Sequence, residues 1–291
     1  MSPATEVTAD FLRAHPLPHP GTEGDKEARG RALVVGGGRE VPGAVLLSAV
    51  AALRAGAGKL QVGTVASVAP ALGLAVPEAR VFALPETESG EIAPAAAEVL
   101  GRHVGGAEAV VIGPGMLDPE GTAGLTRALL EGCDGPAFLI DAAAMTGLPA
   151  IRDSLRRHGG RIVVTPHAGE MAALLDVTKE EVAADPLAAG REAAARLQAV
   201  VAMKGARTYI VSPQGEAWTC AQGHVGLATS GSGDTLAGIV GGLLARGATP
   251  VQATCWGVYL HGEAGNRLGP IGFLARDIPG QVPAIMAELG S

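Results

Sequence analysis

Short apolar runs alternate with longer segments of helical character between residues 31 and 200. Each run is bounded by glycine or proline and is followed by a stretch that suits a helix. In order they read RALVVGGG, KLQVGTV, ARVFALP, EAVVIGPG, PAFLIDA and GRIVVTP. Continuous apolar runs of this length are typical of strands that are buried on both faces. The alternation therefore predicts a mainly parallel sheet with helices on both of its faces.

The pattern changes after Val200, where shorter runs are separated by turn residues. VVAMKG, TYIVSP, EAWTC and HVGLAT predict four short strands that extend the sheet in antiparallel fashion. Helices are predicted near 233–247, 250–267 and 276–289. Residues 1–30 are rich in proline and charge, which predicts an N-terminal arm with a short helix near Val7–Ala14. No change in composition marks a second domain, so residues 31–291 are predicted to form one α/β domain.

Composition narrows the classes of function. The formal net charge is −7 and the chain has no long basic run, which argues against a nucleic-acid partner. Its three cysteines, Cys133, Cys220 and Cys255, are far apart, so neither a disulfide framework nor a cysteine zinc site is expected. The N-terminus has no secretory pattern, and the apolar segment at 44–53 is too short to span a bilayer. We therefore expect a cytoplasmic protein without a membrane partner.

Glycine-rich or polar segments follow the predicted strands, where ligands bind in open α/β sheets. GGGREVPG (36–43) is not a dinucleotide fingerprint, because Val41 stands where the third glycine is needed. VIGPGM contains Gly113 and Gly115, which allow a ligand to approach the backbone.

TPHAGE places His167 and Glu170 at a strand end, where they are candidates to line the ligand site. The alternative is that His167 is a surface or capped histidine and that Glu170 only stabilises the first turn of the helix. MKGART ends a strand with Lys204, whose ammonium suits phosphate oxygens. No residues are assigned to a metal.

The segment TSGSGDTLAGIVGGLLARG (229–247) carries the most specific signal. Gly231, Ser232 and Gly233 lead into a helix predicted over 235–245, and unpaired amides at a helix N-terminus favour an anion. Asp234 would repel that anion, unless it faces the attacking hydroxyl and acts as a general base. The alternative is that Asp234 only stabilises the start of the helix.

Together these segments resemble those of ribokinase-like enzymes. The set PGAVLLSAVAALRAGAGK, VIGPG, TPHAGE, KGART and TSGSGDTLAGIVGGLLARG is similar, in the same order, to the ADP-dependent NAD(P)H-hydrate dehydratase family. The resemblance covers roughly residues 30–290 and implies a ribokinase-like three-layer α/β/α fold. Its central sheet would be mainly parallel with an antiparallel extension.

The resemblance also implies an activity. Members of the family repair NADH or NADPH hydrated at C6 of the nicotinamide ring. They use ADP to phosphorylate the hydroxyl group and release AMP and phosphate, and Mg²⁺ is expected with the nucleotide. By the same resemblance Asp234 would be the base and would contact the substrate. Residues in two segments would bind the nucleotide phosphates: Lys204, Gly205, Ala206, Arg207, Thr208, Gly231, Ser232 and Gly233. Residues from three other segments would line the substrate pocket: Ala44, Gly113, Gly115 and His167.

Some features depart from the family or stay open. Val41 stands where the family often has tyrosine. The first 30 residues are too short for the epimerase domain of many bacterial relatives, so we expect the epimerase to be a separate protein. The family is often tetrameric, which implies a homo-oligomer. Two other functions remain possible on this fold: a kinase for a thiazole or pyrimidine alcohol, and a nucleotide sensor. The sequence decides neither ADP against ATP nor NADH against NADPH.

Overall fold

In the computed structural model, which describes residues 3–19 and 29–290, ten strands form one sheet. Their order across the sheet is β1-β10-β9-β8-β7-β6-β5-β2-β3-β4. The strands are β1 Thr5–Glu6, β2 Arg31–Val35, β3 Lys59–Val65, β4 Ala79–Leu84, β5 Ala109–Ile112, β6 Ala137–Ile140, β7 Ile162–Val164, β8 Val200–Met203, β9 Thr208–Val211 and β10 Ala217–Cys220. Neighbours from β4 to β8 are parallel, whereas β9 runs antiparallel to β8 and to β10.

Helices cover both faces of this sheet. They are α1 Ala9–Ala14, α2 Pro42–Arg54, α3 Ala69–Ala75, α4 Ala96–Val104, α5 Pro119–Glu131, α6 Arg152–Arg157, α7 Ala168–Leu175, α8 Lys179–Ala184, α9 Pro186–Leu197, α10 Ser232–Ala245, α11 Pro250–Leu268 and α12 Ile278–Glu288. In β2, Ala32 and Val34 pack into the cluster formed with α2, α10 and α11, whereas Leu33 and Val35 pack on the opposite side. Successive strand residues point to opposite faces, so the three-layer α/β/α prediction is confirmed.

The strand order reverses between β2 and β5. The chain leaves β2 for β3 and β4 on one side and returns to β5 on the other. Two backbone hydrogen bonds join the loops that follow these strands: Gly37 donates to the Pro114 carbonyl at 2.7 Å and Gly38 donates to the Gly115 carbonyl at 3.0 Å. A crevice at such a reversal is the usual ligand position in open α/β sheets.

Glycines let α10 lie directly against α2. A Cβ placed at Gly238 would lie 2.1 Å from the Ser48 carbonyl oxygen, and one at Gly242 would lie 2.3 Å from the Ala52 carbonyl oxygen. Four residues farther along α10, the contact lies four residues farther along α2, so the two helices run in the same direction. Their N-termini therefore open on the same edge of the sheet.

Two features differ from the sequence predictions. HVGLAT is not a fourth strand: Val225–Leu227 form a single 3₁₀ turn. His224 explains this, because Nδ1 accepts from the Gly226 amide at 3.0 Å and Nε2 lies 3.0 Å from the Gly265 carbonyl oxygen on α11. The backbone is thus engaged locally instead of pairing with β10.

The second difference is β1, which the sequence did not indicate. It pairs with β10, and the short helix begins at Ala9 instead of Val7. Part of the predicted arm, residues 1–2 and 20–28, lies outside the described residues. Its described part packs against α11, where the Trp256 indole donates to the His15 carbonyl at 2.8 Å. The boundary at residue 30 stays a prediction.

Candidate active site

The carboxyl ends of three adjacent strands bring polar and charged side chains together. Asp141 follows β6, Thr165 follows β7 and Lys204 follows β8. The Thr165 hydroxyl donates to Asp141 Oδ1 at 2.6 Å, and the Lys204 ammonium lies 3.2 Å from the same oxygen. Asp141 is buried, with 3% of its surface exposed, so this carboxylate is held in a fixed place.

Lys204 is the cation of this cluster. Its Nζ lies 3.2 Å from Asp141 Oδ1 and 3.8 Å from Glu170 Oε2 at the start of α7. Burial acts to lower the pKa of Lys204, but the charges of Asp141, Glu170 and Asp234 outweigh it and raise that pKa above its ordinary value. The ammonium is therefore charged at neutral pH.

The N-terminus of α10 lies directly beside this ammonium. Gly231 precedes the helix with a φ of 86°, a left-handed conformation that suits glycine. A Cβ placed at Gly233 would lie 3.6 Å from Lys204 Nζ. The amides of this first turn and the ammonium thus flank one space, which suits a phosphate group.

Asp234 lies in the same turn and is half-buried. Burial raises its pKa to about 6, and the nearby Asp141 carboxylate acts in the same direction. Lys204 and the backbone amide of Asp234 itself oppose the shift but do not cancel it. A carboxylate with this pKa is largely ionised at neutral pH and still basic enough to accept a proton, as a general base requires.

His261 of α11 contacts Ser232 in the first turn of α10. Its Nε2 lies 2.9 Å from the Ser232 hydroxyl and 3.0 Å from the Ser232 carbonyl oxygen. Burial lowers the pKa of His261 to about 4, helped by the charge of Lys204, although the hydrogen bond to the Ser232 backbone opposes this. The neutral imidazole therefore fixes the first turn of α10 without adding charge.

Ala44 and Gly115 meet on the other side of the crevice. Gly115 has a φ of 70°, and a Cβ there would lie 2.8 Å from the Ala44 Cβ and 2.6 Å from the Val41 carbonyl oxygen. Leu47, one turn along α2 from Ala44, lies against Gly231, since a Cβ at Gly231 would be 2.4 Å from Leu47 Cδ1. The start of α2 thus connects this predicted substrate wall with the start of α10.

Gly113 has a packing role in the structure. Its φ is 122°, and a Cβ there would lie only 1.9 Å from the Asp141 carbonyl oxygen. The residue is buried. Glycine is thus needed for the close approach of two strand ends, and contact of Gly113 with a ligand stays a prediction.

His167 caps helix α7. Its Nδ1 accepts from the Gly169 and Glu170 amides at 3.0 and 3.1 Å, and Glu170 Oε2 accepts from the His167 amide at 2.7 Å. This reciprocal arrangement is a capping box. The ring is largely exposed, with 61% of the side-chain surface accessible. The His167 ring is therefore not part of the buried core, and its contact with substrate stays a prediction.

The remaining predicted nucleotide residues form the turn between β8 and β9. Gly205, Ala206 and Arg207 are exposed, and Thr208 begins β9. The Lys204 amide donates to the Pro166 carbonyl at 2.8 Å, which fixes this turn beside the loop after β7. The turn thus follows directly on Lys204, whose ammonium faces Gly233 in the first turn of α10.

Sequence reasoning missed three residues that the structure places in or beside this site. Asp141, Thr165 and His261 were not assigned, although Asp141 ends an apolar run at the predicted ligand edge. That position was the available signal for Asp141. Nothing in the local pattern around His261 distinguishes it, because its partner lies 29 residues away on another helix.

Within 3–19 and 29–290, no group of three or more histidine, cysteine, aspartate or glutamate side chains is arranged to hold a metal ion. No helix in this part of the chain is both long and apolar enough to cross a membrane.

Comparison with known proteins gives a consistent result. The model of the NAD(P)H-hydrate dehydratase family matches residues 32–270. The chain is 47% identical to the ADP-dependent (S)-NAD(P)H-hydrate dehydratase of Xanthomonas campestris, over 97% of this chain and 96% of that protein. It is 36% identical to a bifunctional NAD(P)H-hydrate repair enzyme of Moorella thermoacetica, and it spans 54% of that protein's length.

A solved structure shows the same fold. The ADP/ATP-dependent NAD(P)H-hydrate dehydratase of Bacillus subtilis, co-crystallised with ATP and Mg²⁺, superposes with a TM-score of 0.82 at 27% identity. The superposition covers 99% of this chain and 100% of that one. The resemblance inferred from the sequence motifs is confirmed.

Proposed function

The chain belongs to the NAD(P)H-hydrate dehydratase family, and from this premise we propose that it restores (6S)-hydrated NADH and NADPH to NADH and NADPH, with ADP as phosphoryl donor. One observation carries the assignment to a specific site. A half-buried carboxylate with a raised pKa, Asp234, lies in the same helical turn as the glycine segment 231–233 and near the Lys204 ammonium. A phosphoryl transfer to a hydroxyl needs these three components together.

The first step is the transfer of a phosphoryl group. The C6 hydroxyl oxygen attacks the β-phosphorus of ADP, and its proton passes to the Asp234 carboxylate. The bond between the β-phosphorus and the bridging oxygen breaks, so AMP leaves with that oxygen. The α10 amides and Lys204 would stabilise the charge on the transferring group, because they are already oriented before the reaction.

The second step removes the new phosphate. The C6–O bond breaks, inorganic phosphate leaves with the former hydroxyl oxygen, and the ring loses a proton as its double bond forms again. The net result is the loss of water from the substrate and the conversion of ADP to AMP and phosphate. Phosphorylation helps because phosphate is a better leaving group than hydroxide.

Lys204 and the turn that follows it would hold the nucleotide. A Cβ at Gly233 would lie 3.6 Å from Lys204 Nζ, and we expect Lys204, Gly231, Ser232 and Gly233 to contact the phosphates beside Asp234. The exposed turn at 205–207 and Thr208 would contact phosphates farther from the reacting centre. Ala44, Gly113, Gly115 and His167 would line the pocket for the hydrated dinucleotide, as the family resemblance implies.

Magnesium would be bound mainly through the nucleotide. Mg²⁺ usually keeps several of its waters and binds through phosphate oxygens of the substrate. When bound, Mg²⁺ would neutralise charge between the phosphates. We assign no protein ligand to it.

A turnover assay tests the proposal. Purified protein is incubated with enzymatically prepared hydrated NADH or NADPH and with ADP or ATP, and recovery of the reduced-nicotinamide absorbance is recorded. We expect recovery that depends on the nucleotide, with one AMP formed per NADH when ADP is used. No recovery with any pair would refute the function. Phosphorylation of a thiazole or pyrimidine alcohol in its place would favour the kinase alternative.

We also propose a cytoplasmic homo-oligomer, a tetramer as in many family members. The cysteines of the chain are free in the structure, which suits a reducing compartment. Light scattering during gel filtration measures the mass directly. A mass of one chain, about 29.0 kDa, would exclude the oligomer.

A further inference from the structure

Asp141 is fixed in place from several directions. Its carbonyl oxygen faces Gly113 at a distance that leaves no room for a Cβ, since the Cβ position is 1.9 Å away. The next residue, Ala142, has a φ of 50°, a left-handed conformation that is unfavourable for alanine. The carboxylate itself accepts the Thr165 hydroxyl at 2.6 Å. Backbone strain that persists beside a buried carboxylate indicates that its position matters.

The main charged contact of this carboxylate is Lys204. The ammonium lies 3.2 Å from Asp141 Oδ1 and 3.8 Å from Glu170 Oε2. From there it reaches the space above Gly233, whose Cβ position is 3.6 Å from Nζ. Without these two carboxylates, the flexible lysine side chain would be free to turn toward Asp234 and neutralise the base.

We propose that Asp141 is a positioning residue of the phosphoryl-transfer site: it holds the Lys204 ammonium over the first turn of α10 and so keeps Asp234 free to act as the base. This inference rests on the proposed function. It assigns a role to a residue outside the predicted catalytic and binding set.

The charges around Asp234 support this division of roles. Asp141 at the end of β6 and Lys204 at the end of β8 both act directly on the charge of Asp234. Glu170 on α7 acts on Asp234 indirectly, through its contact with Lys204. His261 on α11 lies under the same turn and is neutral at physiological pH. Burial and Asp141 raise the pKa of Asp234, whereas Lys204 lowers it. Removing the charge of Asp141 therefore lowers the pKa of Asp234, and a lysine that moves closer lowers it further.

The variant Asp141→Asn tests the role with little change in size. We expect kcat to fall roughly 10- to 100-fold, the effect of a misplaced group at a reacting centre. We expect the acid limb of the pH–kcat profile to move down by about one pH unit, because a like charge beside Asp234 has been removed. The lost charge alone moves the limb, so the fall in kcat on the pH plateau must accompany it, and a variant that keeps every charge isolates the positioning role.

A second measurement does not depend on dehydratase activity. Lys204 is labelled with a small acylating reagent, and its rate is read by mass spectrometry against the exposed Lys179 in the same sample. In the Asn variant the charge of Asp141 no longer raises the pKa of Lys204, so that pKa falls and more of the side chain is the reactive neutral amine. A fall of one pKa unit would speed labelling roughly tenfold.

The matched control is Asp153→Asn. Asp153 is an exposed residue of α6 that pairs with Arg156 at 3.4 Å, with 98% of its side-chain surface accessible. It should leave the pH profile and the Lys204 labelling rate unchanged. A second variant, Thr165→Val, tests the positioning role separately, and it also serves if Asp141→Asn does not fold. That variant keeps every charge but frees the carboxylate, so kcat should fall several-fold and the acid limb should move down, because Lys204 can then approach Asp234 and lower its pKa.

The outcomes distinguish failure of the positioning role of Asp141 from failure of the proposed dehydratase function. An acid limb and a labelling rate that both stay at wild-type values in Asp141→Asn overturn the positioning role, as does an acid limb that stays at its wild-type position in Thr165→Val. A wild-type protein that never turns over hydrated NADH or NADPH refutes the proposed function. In that case the labelling rate alone still shows whether Asp141 holds Lys204: faster labelling supports the contact and an unchanged rate overturns it.

Discussion

Replacing Asp234 by asparagine separates the role of a base from that of a residue at the start of a helix. Asparagine has nearly the same size and can still accept a hydrogen bond, but it cannot take a proton from the substrate hydroxyl. It also removes the repulsion between the carboxylate and the nucleotide phosphates. We therefore expect catalysis to fail while nucleotide binding persists or becomes tighter.

The loss of activity follows from the role of the base. General-base catalysis contributes about 10²–10⁴-fold, so kcat should fall by roughly that factor. In the wild-type protein, activity should also fall as the pH decreases through about 6, because the reactive form of Asp234 is ionised and its pKa is about 6. The Asn variant should lack this acid limb.

The same substitution should stabilise the free protein at neutral pH. The pKa of Asp234 rises from 3.8 to about 6 on folding, so the folded state binds a proton more tightly than the unfolded chain. Above pH 6 the buried charge is present and destabilises the fold, and this cost disappears as the pH falls through about 6 toward 4. A shift of this size corresponds to about 3 kcal/mol as an upper bound, because each pKa unit is about 1.36 kcal/mol and solvent screens a half-buried group.

Two assays test this prediction. Single-turnover kinetics with ADP give the chemical step, and thermal denaturation at pH 7 and at pH 4.5 gives the stability difference. At pH 7 the Asn variant should melt about 2–6 °C higher than wild type, and at pH 4.5 the difference should shrink toward zero. Asp153→Asn, exposed on α6, is the control. Turnover of the Asn variant within a few-fold of wild type would show that Asp234 only stabilises the helix.

Three further substitutions test other parts of the structure. Lys204→Ala removes the ammonium beside the α10 amides, so KM for ADP should rise more than KM for the hydrated dinucleotide, and unchanged ADP affinity in a titration would remove Lys204 from the site. Gly233→Val places a side chain toward Lys204 Nζ, since the Cβ position is already 3.6 Å from it; turnover should be abolished in a folded protein, and near-normal activity would contradict a phosphate at this position. Gly238→Ala puts a Cβ 2.1 Å from the Ser48 carbonyl oxygen, which should destabilise the protein by about 1–3 kcal/mol in a denaturant titration.

Much of the fold was predictable because the apolar runs are continuous and well separated. From Arg31 to Met203 each run became a strand within two or three residues of its predicted bounds. The strand order was not predictable in the same way, because the reversal between β2 and β5 leaves no mark on hydrophobic periodicity. HVGLAT shows the limit of local patterns: its residues suit a strand, but the His224 side chain supplies hydrogen bonds that favour a 3₁₀ turn.

The site shows a similar division. Glycine segments at strand ends and the carboxylate at the helix start were visible in the sequence, since their chemistry depends on neighbours along the chain. The roles of Asp141 and His261 depend on partners from other elements, 63 residues away for Lys204 and 29 residues away for Ser232. Contacts at such separations depend on the tertiary fold, and one sequence does not reveal them.

The position of Asp234 raised a conflict, because a carboxylate beside an anion-binding turn repels phosphate. The structure shows how the conflict is reduced. Lys204 is paired with Asp141 and Glu170, while the carboxylate of Asp234 is left with a raised pKa. The first turn of α10 is held by a neutral imidazole, so His261 adds neither attraction nor repulsion. In the proposed mechanism, phosphates are bound and a proton is removed by different groups around one turn of helix. Asp234 remains basic beside the anion because Asp141 and Glu170 hold the Lys204 ammonium.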